Sequence, residues 1–153
     1  MALAIAALLP LGCAGADTEP QDLRISEMPH LNIEKAQDAA FESETQVFNL
    51  APKGENGSRL EYKVFVAAGD VVVYSIKADP NVVSEFHGQA EESKAVFFYR
   101  EQDDVGTTHG QFISPMSGDH GWYFANQADT TATVTLELVG YYGPGAGLIE
   151  IPD

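Results

Sequence analysis

The sequence predicts an all-β protein, an antiparallel β-sandwich or jelly roll with about eight strands. Short runs rich in β-branched and aromatic residues follow one another from about Thr45 onward, and clusters of Gly, Asn, Asp, Ser and Pro separate them. The last long run, Thr131 to Val139, alternates apolar and polar residues, as a half-buried strand requires. Close-set strands joined by short turns are typical of antiparallel sandwiches.

Length and charge set the first limits on function. The chain has 153 residues, of which 44% are hydrophobic, which is enough for one domain with a core and some tail. Its net charge of −15 repels phosphate backbones, so nucleic acid is not an expected partner. With one cysteine in the whole chain, the domain must be stable without a disulfide.

Residues 1–16 are predicted to be a signal for export to the periplasm or cell envelope. The stretch ALAIAALLPLG is uncharged and too short to span a bilayer, but it suits the apolar part of a secretion signal. Two cleavage sites compete. The sequence LPLGC resembles a lipobox that would make Cys13 a lipidated N-terminus, whereas Ala14-Gly15-Ala16 fits a general signal peptidase. Lipidation at Cys13 is the favoured alternative, and a start codon further upstream would explain the missing basic residues.

Composition divides the rest of the chain into three parts. Residues 17–43 mix acidic residues, Pro and Ala without a sustained period and are predicted to be a flexible tether, in which IEKAQDAAF can form a short helix. Residues 44–143 are predicted to form the sandwich, and residues 144–153 an irregular tail rich in Gly and Pro.

Each predicted strand is an apolar run bounded by turn residues. In the last run Ala132, Val134, Leu136 and Leu138 share one face. The acidic run EQDD at residues 101–104 is predicted to be a solvated turn rather than a calcium loop, because it lacks an EF-hand pattern. The runs are TQVFNLA, LEYKVFVA, VVVYSIKA, VVSEFHG, AVFFYRE, HGQFIS, GWYFAN and the alternating run at 131–139.

Three of the four histidines directly precede a glycine: His87, His109 and His120. If the strands bring them together, they form a copper or zinc site, with Met116 as a soft ligand. The alternative is structural, with each glycine permitting a bulge or close bend beside a packed histidine. The spacings match no compact ligand motif, so the structural alternative is favoured and no resident cofactor is expected.

The densest aromatic cluster follows a glycine-rich stretch, SGDHG. Gly118 and Gly121 are predicted to bend the chain, Trp122 and Phe124 to enter one face of a strand, and Asn126 to begin the next turn. The chain has no nucleophile-elbow motif, and the nearby serines and histidine lie too close in sequence for a triad on an extended chain. No catalytic residue and no enzyme activity are therefore predicted.

Several motifs carry a resemblance to known families. EFHG at residues 85–88 and HGWYFAN at residues 120–126, within the span from Leu60 to Tyr142, resemble the periplasmic domain of uncharacterised bacterial "transmembrane anchor" proteins. The strand pattern is more distantly similar to the GOLD-type sandwich of p24 cargo receptors and to bacterial pre-peptidase C-terminal domains. The resemblance implies a GOLD-like sandwich near a membrane, outside the cytoplasm, with no catalytic residue to carry over.

Together these features predict an exported accessory or binding module of the cell envelope. Its expected partner is an envelope protein or the membrane itself, reached through the N-terminal anchor, and the sequence does not identify a small-molecule ligand. The alternative is a periplasmic copper- or zinc-binding module that uses the three histidines.

Overall fold

The fold is all-β and antiparallel, which confirms the predicted fold class. The computed structural model describes residues 36–93 and 95–152, and from Gln37 onward the chain forms one compact unit. No helix among these residues is long and apolar enough to cross a membrane. The strands are β1 Phe41–Leu50, β2 Arg59–Val66, β3 Val71–Ala90, β4 Val96–Ile113, β5 Gly118–Asn126, β6 Ala132–Tyr141 and β7 Gly143–Glu150.

Two pairs of predicted strands are fused into long ones, because the residues between them form irregularities in the register of β3 and β4 rather than turns. VVVYSIKA and VVSEFHG form β3, which continues through the cis peptide between Asp79 and Pro80. AVFFYRE and HGQFIS form β4, so the prediction of a turn at residues 101–104 is wrong. These acidic residues extend along an edge strand that pairs with β3 alone, and there their carboxylates reach water without a turn.

The predicted irregular tail is also wrong for most of its length. Residues Gly143–Glu150 form β7, which pairs with β2 from Leu60↔Glu150 to Phe65↔Gly143 with a bulge at Lys63/Val64. This strand contains three glycines and a proline, which have low β propensity, so its composition does not predict a strand. Pairing with β2 stabilises it. At the other end β1 begins at Phe41, inside the predicted tether. The suggested helix is not found at residues 36–41, and its first residues lie outside the described part of the chain.

The sheet curls because β3 changes its neighbour halfway. The strand order is β1-β6-β3-β5-β2-β7, with β4 on the other side of β3. The first half of β3 pairs with β6 and the second half with β5, so the two halves of the sheet face each other as in a sandwich. Rings from the two halves meet between them, for example Phe48 and Phe124 with centroids 6.2 Å apart.

Alternating residues of the strands form the core. In β6 the four apolar residues that the sequence placed on one face, Ala132, Val134, Leu136 and Leu138, are all fully buried. They pack with inward-facing residues of β1, β2, β3 and β5 in one cluster. Strands β1 and β7 are the two ends of the curled sheet and do not pair with each other, so a seam stays open between them.

Candidate functional site

The three histidines of the predicted metal site do not come together. In the β3–β5 register His87 lies opposite Gly121 and Gly88 lies opposite His120, so the two imidazoles are on opposite faces of the sheet. His109 lies opposite Ser75 on another part of β4 and is exposed. Among residues 36–93 and 95–152 there is no group of three or more His, Cys, Asp or Glu side chains placed to hold a metal ion. The predicted lipidation site, Cys13, lies outside the described residues.

His120 is a core residue with a partner for each ring nitrogen. Its Nε2 lies 3.2 Å from the Met116 carbonyl oxygen, so Nε2 carries the proton, and Tyr99 donates its hydroxyl to Nδ1 at 3.3 Å. Met116 therefore binds His120 through its backbone carbonyl. Burial lowers the pKa of His120, against the opposing effects of the Met116 hydrogen bond and the charge of Asp119. The imidazole is therefore neutral at pH 7.

Ser114 lies unexpectedly close to His120, with its Oγ 2.9 Å from Nε2. The chain turns between β4 and β5 and so brings these two side chains together. The pair is nevertheless not arranged for nucleophilic catalysis. Ser114 donates its hydroxyl to the Met116 carbonyl at 2.6 Å, and the protonated Nε2 cannot accept that proton.

The state of His120 predicts how stability depends on pH. Because its pKa in the folded protein is below the ordinary 6.5, its contribution to stability is complete above pH 6.5. As the pH falls below this value, His120 binds a proton in the unfolded chain but not in the native state. The free energy of unfolding therefore decreases. Urea unfolding between pH 7.5 and pH 5 should show this loss, and His120→Gln should reduce the slope. His109→Gln, at an exposed position, should leave the slope unchanged; equal slopes in wild type and His120→Gln would contradict the assignment.

The glycine-aromatic segment forms β5, and its glycines have a different role from the predicted one. Gly118 begins β5 and Gly121 lies within it, both without positive φ, so neither glycine forms the predicted bend. A Cβ on Gly118 would clash with the Gln89 carbonyl oxygen, and one on Gly121 would lie 2.6 Å from the Lys63 Cγ. Both positions thus need glycine for close approach. Trp122 and Phe124 do enter the same face, at 1% and 0% exposure.

Asn126 closes this segment as a buried turn organiser. Its side-chain oxygen accepts a hydrogen bond from the Ala128 N–H at 2.9 Å, and its Nδ2 donates to the carbonyls of Ala51 and Thr130 at 2.8 and 2.7 Å. The residue therefore both ends β5 and ties the following turn to the end of β1.

On the face of β2 and β3 opposite the aromatic core lies a largely buried cluster of charged side chains. It was not predicted from the sequence. Glu61 Oε1 lies 2.5 Å from His87 Nε2 and 3.1 Å from Lys63 Nζ, and all three side chains are largely buried. Gly121 leaves the space across which Glu61 and Lys63 reach His87. The available signal was the spacing of Glu61 and Lys63, two residues apart on one strand face, although the strand opposite them could not be deduced.

A cleft of about 400 Å³ lies in the seam between β1 and β7 and is a candidate ligand site. Two of the lining residues, Gly143 and Gly147, have no side chain to fill the space. A Cβ added at either position would meet no atom within 4 Å. The cleft is lined by Glu42 and Glu44 of β1, Tyr62, Lys63 and Val64 of β2, Tyr142, and the residues Gly143, Pro144, Gly145 and Gly147 of β7.

Hydrogen bonds hold one carboxylate of the cleft in place. The Tyr62 hydroxyl lies 3.1 and 3.0 Å from the two oxygens of Glu44 and donates to them. Gln46 donates its Nε2 to Glu44 at 3.1 Å and to the Tyr62 oxygen at 3.3 Å. Burial, followed by the hydrogen bond and charge of Glu44, raises the pKa of Tyr62 to about 12. Burial and the charge of Glu44 likewise raise the pKa of Tyr142. Both phenols are therefore neutral at pH 7.

The negative charge of the cleft is not balanced from within. Lys63 is the only cationic side chain among its lining residues, and its Nζ is already paired with Glu61. Neither Glu42 nor Glu44 forms an ion pair with any residue of the described ranges. The cleft thus presents two uncompensated carboxylates next to two aromatic rings.

No protein-family model matches this chain, and no curated protein matches it. The resemblance to the envelope "transmembrane anchor" proteins stays a prediction.

Proposed function

We propose that this protein is a non-catalytic binding module of the cell envelope, exported by residues 1–16 and attached to the membrane through lipidated Cys13. In this role it is an accessory to an envelope protein rather than an enzyme. The signal-like N-terminus supports the location, and the closed hydrogen-bond network of Ser114 and His120 supports the absence of hydrolytic chemistry.

The uncompensated carboxylates of the seam cleft carry the proposed binding function. A ligand that restores neutrality there must be positively charged, and the Tyr62 and Tyr142 rings favour an organic cation because aromatic faces attract ammonium and guanidinium groups. The fixed orientation of Glu44 reduces the cost of ordering the site on binding. Calcium is a poorer fit, since it needs roughly 6–8 oxygen ligands. The ligand class is thus a primary amine or guanidine on a small molecule or a larger chain.

Titration calorimetry with agmatine, which carries both an ammonium and a guanidinium group, tests this function. We expect a Kd of about 1 mM or tighter at moderate salt, which suits a ligand of this size. Replacing Glu42 and Glu44 together with Gln should weaken binding about tenfold, because the charge is lost while the shape of the side chains is kept. Acetylated agmatine, which lacks the ammonium charge, should bind more weakly than agmatine.

The matched control removes the same charge elsewhere. Glu55→Gln with Glu91→Gln also deletes two carboxylates, both exposed and both outside the cleft. If this control weakens binding as much as the cleft variant does, agmatine responds only to the net charge of −15 and the proposed site is wrong. Protein for these titrations can be purified from envelope fractions, where an intact mass beginning at acylated Cys13 is expected and a cytosolic, unprocessed chain would contradict the proposed location.

A further inference from the structure

The free edge of β4 carries a row of exposed apolar side chains. Val96, Phe97 and Phe98 are consecutive and are 46%, 48% and 56% exposed. Strand alternation normally directs neighbouring residues to opposite faces, so three exposed neighbours mean that both faces of the strand are exposed at residues 96–98. Exposed apolar edge strands favour association with another chain.

Backbone pairing is also incomplete along this strand. β4 pairs with β3 and with no other strand of the described chain, so its second side is free to pair with an added strand. In the half of the sheet that contains β2 and β5, β4 is the last strand, which makes Val96–Arg100 the terminus of a continuous platform. An extended peptide can therefore continue this sheet by backbone hydrogen bonds.

The edge is held in position before any partner arrives. Tyr99 points into the core, where its ring lies 4.9 Å from that of Phe112 and its hydroxyl donates to His120. On the opposite face the Phe98 ring lies 5.4 Å from the imidazole of His87, which the Glu61 carboxylate binds. A strand fixed from both faces loses little freedom when another strand adds to it.

Charge identifies the kind of partner. The stretch from residue 91 to residue 104 contains five carboxylates against the two cations Lys94 and Arg100. The carboxylates lie on either side of the apolar row, which itself has none, and the described cation, Arg100, is directed to the Tyr74 hydroxyl at 3.4 Å. Two copies of this chain would bring like-charged flanks together at such an edge, whereas a basic segment would neutralise them. The carboxylates are Glu91, Glu92, Glu101, Asp103 and Asp104.

We propose that the β4 edge at Val96–Arg100 binds an extended segment of a partner protein, with apolar residues at its centre and Lys or Arg at both ends, by strand addition. The apolar row supplies contact area and the acidic flanks supply orientation and selectivity. This surface lies on strands other than those that line the seam cleft, and its occupancy does not depend on the cation site.

The probe is the synthetic peptide Lys-Lys-Val-Thr-Phe-Thr-Val-Lys-Lys, and its matched partner has Glu in place of every Lys. Fluorescence anisotropy with the full protein should show binding of the basic peptide that weakens with added salt, and affinity for the acidic peptide about tenfold lower. Hydrogen exchange at residues 96–100 should slow when the basic peptide is bound, because strand addition protects edge amides.

Two double variants distinguish binding at the β4 edge from non-specific hydrophobic binding. Phe97→Thr with Phe98→Thr keeps the β propensity but removes the aromatic row, and should weaken the basic peptide about tenfold. Val73→Thr with Val139→Thr changes two exposed valines that face each other elsewhere on the sheet, and should not alter binding. Equal binding of both peptides, an unchanged affinity in the aromatic variant, or amides at 96–100 already protected in a dimer of the free protein would each overturn the proposal.

Discussion

Replacing Trp122 with alanine should lower the free energy of unfolding by about 3–5 kcal/mol, the usual cost of deleting a fully buried aromatic side chain. Trp122 is 1% exposed. It stacks on Phe86 with ring centroids 4.6 Å apart and approaches Tyr74 at 5.4 Å. These three rings come from β3 and β5, so the cavity would open where the two halves of the sheet meet. A loss of this size is a large part of the total stability of an ordinary domain.

Urea unfolding followed by circular dichroism measures this loss without relying on the fluorescence of the deleted residue. Trp122→Phe is the matched control. It keeps a ring against Phe86 and removes the indole Nε1, which is buried and has no hydrogen-bond partner in the described residues. Its cost should therefore be well below that of alanine. If both variants lost the same free energy, packing of the ring would not be the source of the stabilisation.

Local sequence pattern was enough to predict the buried faces of two strands, β5 and β6. Alternation identified the buried face of β6, and it placed Trp122 and Phe124 on one side of β5, because side-chain direction in a strand follows directly from residue number. The strand boundaries were less predictable. Polar residues at 101–104 and the Gly- and Pro-rich stretch that begins at Gly143 lie in edge strands, where pairing on one side and open solvent on the other relax the usual composition.

Which side chains meet in the candidate sites depends on the order and register of the strands. The periodicity of the sequence does not give that information. The hypothesis that His87 and His120 share a metal required their faces to coincide, but the β3–β5 register offsets them by one residue and so separates them. The same register brings Glu61 and Lys63 to His87, and the curl of the sheet brings Tyr62 of β2 to Glu44 of β1. Both arrangements join residues of different strands, and the spacing of Glu61 and Lys63 alone does not show which strand lies beside them.

Replacing Asn126 with alanine should lower the free energy of unfolding by about 2–4 kcal/mol, since it leaves several buried backbone groups without partners. The residue is 1% exposed. Its side chain binds the carbonyls of Ala51 and Thr130 and the N–H of Ala128, which together fix the turn between β5 and β6 against the end of β1. Asn81→Ala is the matched control, because that exposed asparagine makes one bond, to Asp104, and should cost less than about 0.5 kcal/mol.

Asn126→Asp distinguishes the hydrogen bonds of this residue from its volume. The carboxylate has nearly the same shape and can still accept from the Ala128 N–H, but at neutral pH it cannot donate and it faces two carbonyl oxygens. We expect this variant to be less stable than Asn126→Ala at pH 7. Because the native site disfavours the charged form, it should raise the pKa of the new carboxyl group, so the variant should regain stability relative to wild type as the pH falls toward 5. Chemical denaturation of the three proteins across this range tests the assignment. An aspartate variant as stable as wild type at pH 7 would show that the side-chain donor bonds contribute nothing, and that Asn126 only fills space at the turn.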